Sequence, residues 1–370
     1  MAIYKIFPNK DASIYSRYPA TNAGRDEILE VSVKNINSVA GITENVGATG
    51  TDDIRRTLIS FSNTDINTLK SFNTSSYAAN LRLFLASAEN LSQDYTIECY
   101  PVAQDWSVGT GKFNDNPPTD NGVCWETTGP VTGSPAWNDS YGTEQYLFTT
   151  GGGTWNATYK ASQSFDYTSD KDLNLNITSA VDKWFSGSIN NYGLILKHSS
   201  SIELNTGSYI DLKFFSIDTH TIYPPCLEFK WNDYSFSTGS NTNGFITSDN
   251  FVINMGNNLG EFKKDTKYNF AVKARDKFPT RQFSTSSVYL NWKYLPTSSF
   301  WAIQDYKTTE MIIDFDTTYT KISADSNGNY FTVYMNGLQP ERTYKLLVKS
   351  ILPNTEEIVV DNDILFKIVR

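Results

Sequence analysis

Residues 54–61 read Ile54-Arg55-Arg56-Thr57-Leu58-Ile59-Ser60-Phe61. Apolar Ile54, Leu58, Ile59 and Phe61 are interleaved with Arg, Thr and Ser along this run, which reads as a strand with one face in a core. The texture recurs on both sides. Leu81-Arg82-Leu83-Phe84-Leu85, Tyr95 to Val102, Leu173 to Ile177, Leu194 to Lys197 and Tyr209 to Phe215 read as strands, and Ile28, Leu29 and Val31 make an earlier one. Clusters of Gly, Asn, Ser, Thr and Asp separate them, as tight connections between short strands require. Composition agrees: 22 Tyr, 22 Phe and 8 Trp with only 19% charged residues favour strands and polar turns over helices. The fold class expected is all-β.

A chain of 370 residues exceeds what one core usually fills. Tyr223-Pro224-Pro225 breaks the preceding structure, and Leu227, Phe229 and Trp231 alternate as a last strand. The expected division is a β-sandwich over 1–231, a polar linker over 232–244 and a smaller fibronectin- or immunoglobulin-like β region over 245–370. One short helix is expected at Ser179 to Ser186. Thr178 or Ser179 would cap it, Asp182 would complement its positive end, and Gly187 would end it. Ile177, Val181, Trp184 and Phe185 would form its buried stripe. In the C-terminal region, Lys264 to Val272 echoes Pro340 to Val348, each with a polar turn followed by a tyrosine, Tyr268 and Tyr344. In immunoglobulin-type sandwiches such a tyrosine bonds nearby backbone at a corner. Two small units or one larger domain both fit the repeat. Asn327-Gly328 suits a type I′ hairpin turn between Thr320–Ser323 and Tyr330–Tyr334.

The formal net charge is −9, and the first 231 residues carry all of it, with 25 acidic against 16 basic side chains. Phosphate backbones require a basic stripe, so no nucleic-acid partner is expected. No apolar run approaches the roughly 20 residues of a membrane helix, and Met1-Ala2-Ile3-Tyr4-Lys5 does not open like a secretory signal. The expectation is synthesis in a cytoplasm without membrane association. Cys99, Cys124 and Cys226 lack CxxC spacing and read as small core side chains, with one bridged pair left open.

Signals for chemistry are sparse. His198 and His220 have no nucleophile pattern beside them and read as surface or strand-end residues. Asp105 beside Trp106 and Glu126 beside Trp125 are the carboxylates most suggestive of glycoside hydrolysis, although a carboxylate at a loop base also serves to accept backbone amides. Asp325-Ser326-Asn327-Gly328 opens like a calcium loop, but Tyr330 and Asn336 stand where glycine and the bidentate glutamate belong. Asp11, Asp52 and Asp53 remain as calcium alternatives. Gly151-Gly152-Gly153 and Gly109-x-Gly111 are loop glycines, since neither opens a helix after a strand. No cofactor is expected. The tract 109–153 reads as long surface loops pinned by tryptophans, and Trp106, Trp125, Trp137 and Trp155 are the candidates for interface or glycan contact.

An ordered series of segments resembles the disaggregatase-related (DNRLRE) β-sandwich family over about residues 8–231. It begins with Asp11-Ala12-Ser13-Ile14-Tyr15, Thr21-Asn22-Ala23-Gly24 and Ile28-Leu29-Glu30-Val31. Arg56 to Phe61, Leu81 to Leu85, Gln104 to Thr110, Ile177 to Gly187, Tyr192 to Lys197 and Pro225 to Phe229 follow in the family's order. Gly111-Lys112-Phe113, Gly122-Val123-Cys124-Trp125 and the C-terminal region look similar to virion structural proteins of tailed T4-like marine phages. The resemblance implies a jelly-roll-like sandwich in a tail, baseplate or neck, present in multiple symmetric copies among other virion proteins and released by lysis. It transfers no catalytic set. The function expected is non-enzymatic assembly, with a carbohydrate-binding module for host-surface glycans as the alternative.

Overall fold

The structure, a computed structural model, describes residues 2–35, 52–72, 74, 76–89, 91, 94–137, 151–170, 172–203, 209–241, 243–279 and 292–370. It is an all-β sandwich architecture with short helices. Two compact units emerge. One holds Ile6–Asn73 and Ala78–Glu228; the other holds Met1–Lys5, Thr74–Tyr77 and Phe229–Arg370.

Strands up to the boundary are β1 Ala2–Ile6, β2 Lys10–Tyr15, β3 Ile28–Asn35, β4 Asp52–Ser60, β5 Tyr77–Leu83 and β6 Leu85–Glu89. They continue with β7 Tyr95–Pro101, β8 Ala161–Phe165, β9 Leu173–Asn176, β10 Leu194–His198, β11 Tyr209–Phe215 and β12 Cys226–Trp231. The large sheet of the first unit runs β6-β11-β3-β4-β10-β7-β8, with β2 also paired to β4. A smaller sheet includes the order β12-β5-β9. These pairings in the large sheet are antiparallel, and the registers line up one face. Ala12, Leu58, Ile195 and Tyr100 form one row across it, and Ile14, Arg56, Lys197 and Glu98 form the next. Residues two apart on a strand share a face, so these two rows belong to the same surface.

Helix α2, Thr178–Ser186, forms at the expected place and ends on Gly187 in the left-handed region (φ 72°). Its start differs from expectation. Ile177 is the N-cap and supplies no side-chain bond, while Thr178 Oγ1 accepts from the Ala79 amide instead. Asp182 lies beyond the first turn. The stripe of Ala180, Val181 and Trp184 is buried. Helix α1, Asn63–Ser71, was not expected. Ser62 Oγ caps it by accepting from the Asp65 amide, and Ile66 and Leu69 bury its inner side. Asn63, Thr64, Asn67 and Thr68 are weak helix formers, so packing of those two apolar residues holds the segment. A one-turn helix, α3, spans Ser200–Glu203.

The second unit continues with β13 Phe251–Asn254, β14 Glu261–Lys263, β15 Lys267–Asp276, β16 Ser299–Asp305 and β17 Met311–Ile313. Its last strands are β18 Ser323–Asp325, β19 Gly328–Tyr334, β20 Thr343–Ile351 and β21 Glu357–Val369. One sheet runs β13-β15-β19-β18 and the other β14-β21-β20-β16-β17. In immunoglobulin lettering these are A-B-E-D facing G-F-C, with β17 as C′ and β14 running parallel to the last strand. Trp301 on strand C is 1% exposed and stacks on Phe331 at 5.1 Å. Tyr344, at the start of strand F, accepts from the Gln339 amide at 2.8 Å, which is the tyrosine corner. On the other sheet Tyr268 bonds back to the carbonyl of Asn257 in the turn between β13 and β14. Both tyrosines therefore serve one sandwich with a single core.

Two details of this unit depart from the sequence reading. Within the expected polar linker 232–244, residues 235–237 are hydrogen-bonded along β18: Ser237 N donates to Ala324 O and Ala324 N to Ser235 O. Phe236 and Phe245 stack at 6.1 Å, an apolar contact that holds the segment down. The hairpin between β18 and β19 exists, but Asp325 pairs with Gly328, so Ser326-Asn327 make the turn. The Asp325 carboxylate accepts from the Asn327 and Gly328 amides and closes it. Neither central residue has a positive φ, so the turn is not type I′.

Candidate functional site

The registered face of the large sheet is not open. Residues 103–137 and 151–156 fold back over it, and their tryptophans form a second core with the strands. Trp106, Trp125, Trp137 and Trp155 pack with Ala12, Ile14, Ile54, Leu58, Tyr100, Val123 and Ile195. Their exposures are 3%, 4%, 2% and 7%. The four tryptophans read as candidates for interface or glycan contact are thus core side chains. Each indole can bury far more apolar surface than a loop of Gly, Asn and Thr otherwise offers, so the loops close over the sheet around them. Two indole N–H groups are also satisfied inside: Trp106 donates to Tyr192 O and Trp137 to Cys124 O.

Asn22 ties these loops to the N-terminal segment. Its side chain is fully buried, donates to Val108 O and Val123 O at 2.8 Å each, and accepts from the Gly111 amide at 2.8 Å. One amide group thereby joins both sides of the tract 108–123. Amide side chains have this capacity because donor and acceptor lie on one planar group.

Under the loops lies a buried charge network. Arg56 forks onto Glu203, Nε to Oε1 at 3.1 Å and Nη2 to Oε2 at 2.8 Å. Lys197 Nζ lies 3.4 Å from Glu203 and 3.7 Å from Glu98. Glu98 also receives Tyr100 Oη and Lys160 Nζ, both at 2.8 Å. The Arg56 guanidinium sits 4.9 Å from the Trp125 ring centre and 5.3 Å from that of Trp155, and its Nη1 donates to Gly152 O at 2.6 Å. Gly152 (φ 83°) has no substitute here, because a Cβ would stand 2.6 Å from Nη1 and 2.8 Å from the Trp125 ring. Gly152 serves this close approach of backbone to guanidinium, while Gly151 and Gly153 let the chain pass against Trp125 and Ile195. Two cations and two carboxylates, Arg56, Lys197, Glu98 and Glu203, are paired at a place where a lone charge would be costly.

The other candidates lie apart from this network. The Asp105 side chain is 73% exposed, reaches Lys10 at 3.3 Å and accepts from the Trp106 amide. Glu126 is exposed. His198 ends β10, yet it is buried rather than at the surface; its Nε2 lies 3.2 Å from Val31 O, and burial lowers its pKa to about 4. His220 is exposed in a loop. Asp11 is buried and accepts from the Ile217 amide, and desolvation pushes its carboxyl up to about 7. Asp53 pairs with Arg55 at 2.7 Å, and the Asp52 side chain lies outside the described residues. Among the described residues no three His, Cys, Asp or Glu side chains converge in a way that would hold a metal. All three cysteines are buried without a disulfide.

The buried network carried a partial signal in sequence: Arg56 falls in phase between Ile54 and Leu58, and Lys197 directly follows the apolar run Leu194-Ile195-Leu196, where a charge demands a partner. Glu203 had no such signal, because Arg56, which forks onto it, meets it only across 147 residues of chain. No protein-family model and no curated protein matches this chain.

Proposed function

We propose that this chain is a non-enzymatic structural component of a tailed-phage particle, in its tail, baseplate or neck, acting through contacts with other virion proteins. The observation that carries the non-enzymatic part is the capped face. Its ionisable groups, Arg56, Lys197, Glu98 and Glu203, are spent on one another beneath packed indoles. Such a network holds loops in one shape, as a docking body needs, with its charged groups turned to one another. The resemblance of Gly111-Lys112-Phe113, Gly122-Val123-Cys124-Trp125 and the C-terminal region to virion proteins of tailed phages supports the virion part. The chain would be made in the host cytoplasm and incorporated in several symmetric copies. Exposed apolar side chains such as Tyr167 and Phe278, at 79% and 74%, are suited to anchor neighbours. Mass spectrometry of purified particles tests this reading. Peptides of the chain should co-purify with the capsid and tail proteins in fixed stoichiometry, and their absence from infectious particles defeats it.

A further inference from the structure

On the outer face of the A-B-E-D sheet of the second unit lies a cleft of about 190 Å³, formed where β15, β19 and the β18–β19 turn meet. Its floor is shallow for a reason visible in the register. Ala271 pairs with Tyr330, and Gly328 stands two positions before Tyr330, so two small residues lie on a diagonal across adjacent strands of the same face. The walls are polar and aromatic: Asn269, Lys273, Asn327 and Tyr330. Asn257 stiffens one side by donating to Asn269 O at 2.8 Å and accepting from the Ala271 amide at 2.9 Å. The Trp292 ring stands beside the floor, 3.8 Å from the position a Cβ on Gly328 would take. Lys273 Nζ lies 5.5 Å from the centre of that ring.

The chemistry of these walls is selective. Side-chain amides supply both donors and acceptors at fixed angles, the ammonium adds donors, and Tyr330 and Trp292 present apolar ring surface. Among the described residues the side chains of Asn269 and Asn327 and the Tyr330 hydroxyl make no hydrogen bond. A ligand that satisfies such a set has many hydroxyls around a compact ring with apolar C–H faces. The space suits one ring and is smaller than the clefts that hold larger molecules. We propose that this cleft on the immunoglobulin-like unit is a saccharide-binding site, receiving one pyranose ring of a glycan against Tyr330 and Trp292, with Asn269, Asn327 and Lys273 bonding its hydroxyls.

The proposal stands apart from the assembly reading, and the two are separable by experiment. The intact chain is applied to an array of immobilised neutral and acidic glycans, alongside Ala271→Trp and Tyr330→Ala. Ala271→Trp fills the floor from a strand position that accepts aromatic residues, so the sandwich is retained and its thermal melt serves as the check. Saturable binding of at least one glycan is expected, falling roughly tenfold or more in both variants while the melt is kept. No binding above background by the intact chain overturns the proposal, as does binding that Ala271→Trp leaves unchanged. If Ala271→Trp fails to fold, Tyr330→Ala alone decides between those outcomes. Incorporation of Ala271→Trp into particles, measured separately, reports on assembly and is expected to be normal.

Discussion

At the scale of single residues, the consequential choices are charges placed at buried positions of strands. Arg56 and Lys197 sit 2% and 0% exposed, and Glu203 is the carboxylate common to both. Glu203→Ala would leave two cations in a desolvated site with only Glu98 near Lys197. Removing one partner of a buried pair costs about 3–5 kcal/mol, so urea denaturation should show a loss of that order. A loss under about 1 kcal/mol would mean that the network is wet and the capped face open. Asn22→Ala removes three buried hydrogen bonds at once. Since each orphaned buried group costs about 1–3 kcal/mol, the variant should lose several kcal/mol and its 103–137 loops should become the first site of limited proteolysis. Cleavage elsewhere first would show that Asn22 is not the tie.

At the scale of elements, the ends of helices and the corners of sheets give cleaner readings than their middles. Gly187 holds a left-handed φ of 72° with nothing within 4 Å of a notional Cβ. Gly187→Ala therefore introduces backbone strain without a clash, and a loss of about 1 kcal/mol is expected from thermal denaturation. Gly187→Asn should recover part of it, because asparagine tolerates that region. An alanine variant as stable as the parent would indicate that α2 ends differently in solution. In the second unit, Tyr344→Phe keeps the ring among Phe366 and its neighbours but orphans the Gln339 amide. The expected cost is about 1–2 kcal/mol. Tyr268→Phe tests the other sheet independently.

At the scale of the whole molecule, two buried groups oppose each other in pH dependence. The folded Asp11 carboxyl, raised by desolvation to about 7, keeps a proton that the unfolded chain releases near its ordinary value of about 4. Its contribution to stability is therefore greatest at low pH and falls as pH rises from about 4 to 7. The folded His198 ring, lowered by burial to about 4, refuses a proton that the unfolded chain takes up near 6.5. Its contribution is complete above about 6.5 and is lost as pH falls towards 4. Between these limits the two slopes largely cancel. Asp11→Asn should consequently make stability rise with pH between 4.5 and 6.5 relative to the parent, and His198→Gln should make it fall. Denaturant titrations at four pH values measure both, and variant profiles parallel to the parent's would refute the account.

Much of this organisation was legible in the residues themselves. The alternating runs are local, and so are the Pro-Pro break before β12, the Gly187 stop and the tyrosine turn before β20; each depends on neighbours within a few positions, so a linear chain displays it. The all-β class and the immunoglobulin-like second unit follow from such local patterns. Which face of a loop tryptophan meets solvent is not local. Trp106, Trp125, Trp137 and Trp155 looked like surface anchors because Gly, Asn and Thr surround them in sequence, while in space the strands β2, β4, β7 and β10 surround them. Likewise Glu203 finds Arg56, and small residues on two strands open the cleft beside Trp292, only once the registers are set. Burial and charge pairing are properties of what lies across the sheet, and chain order does not encode distance there.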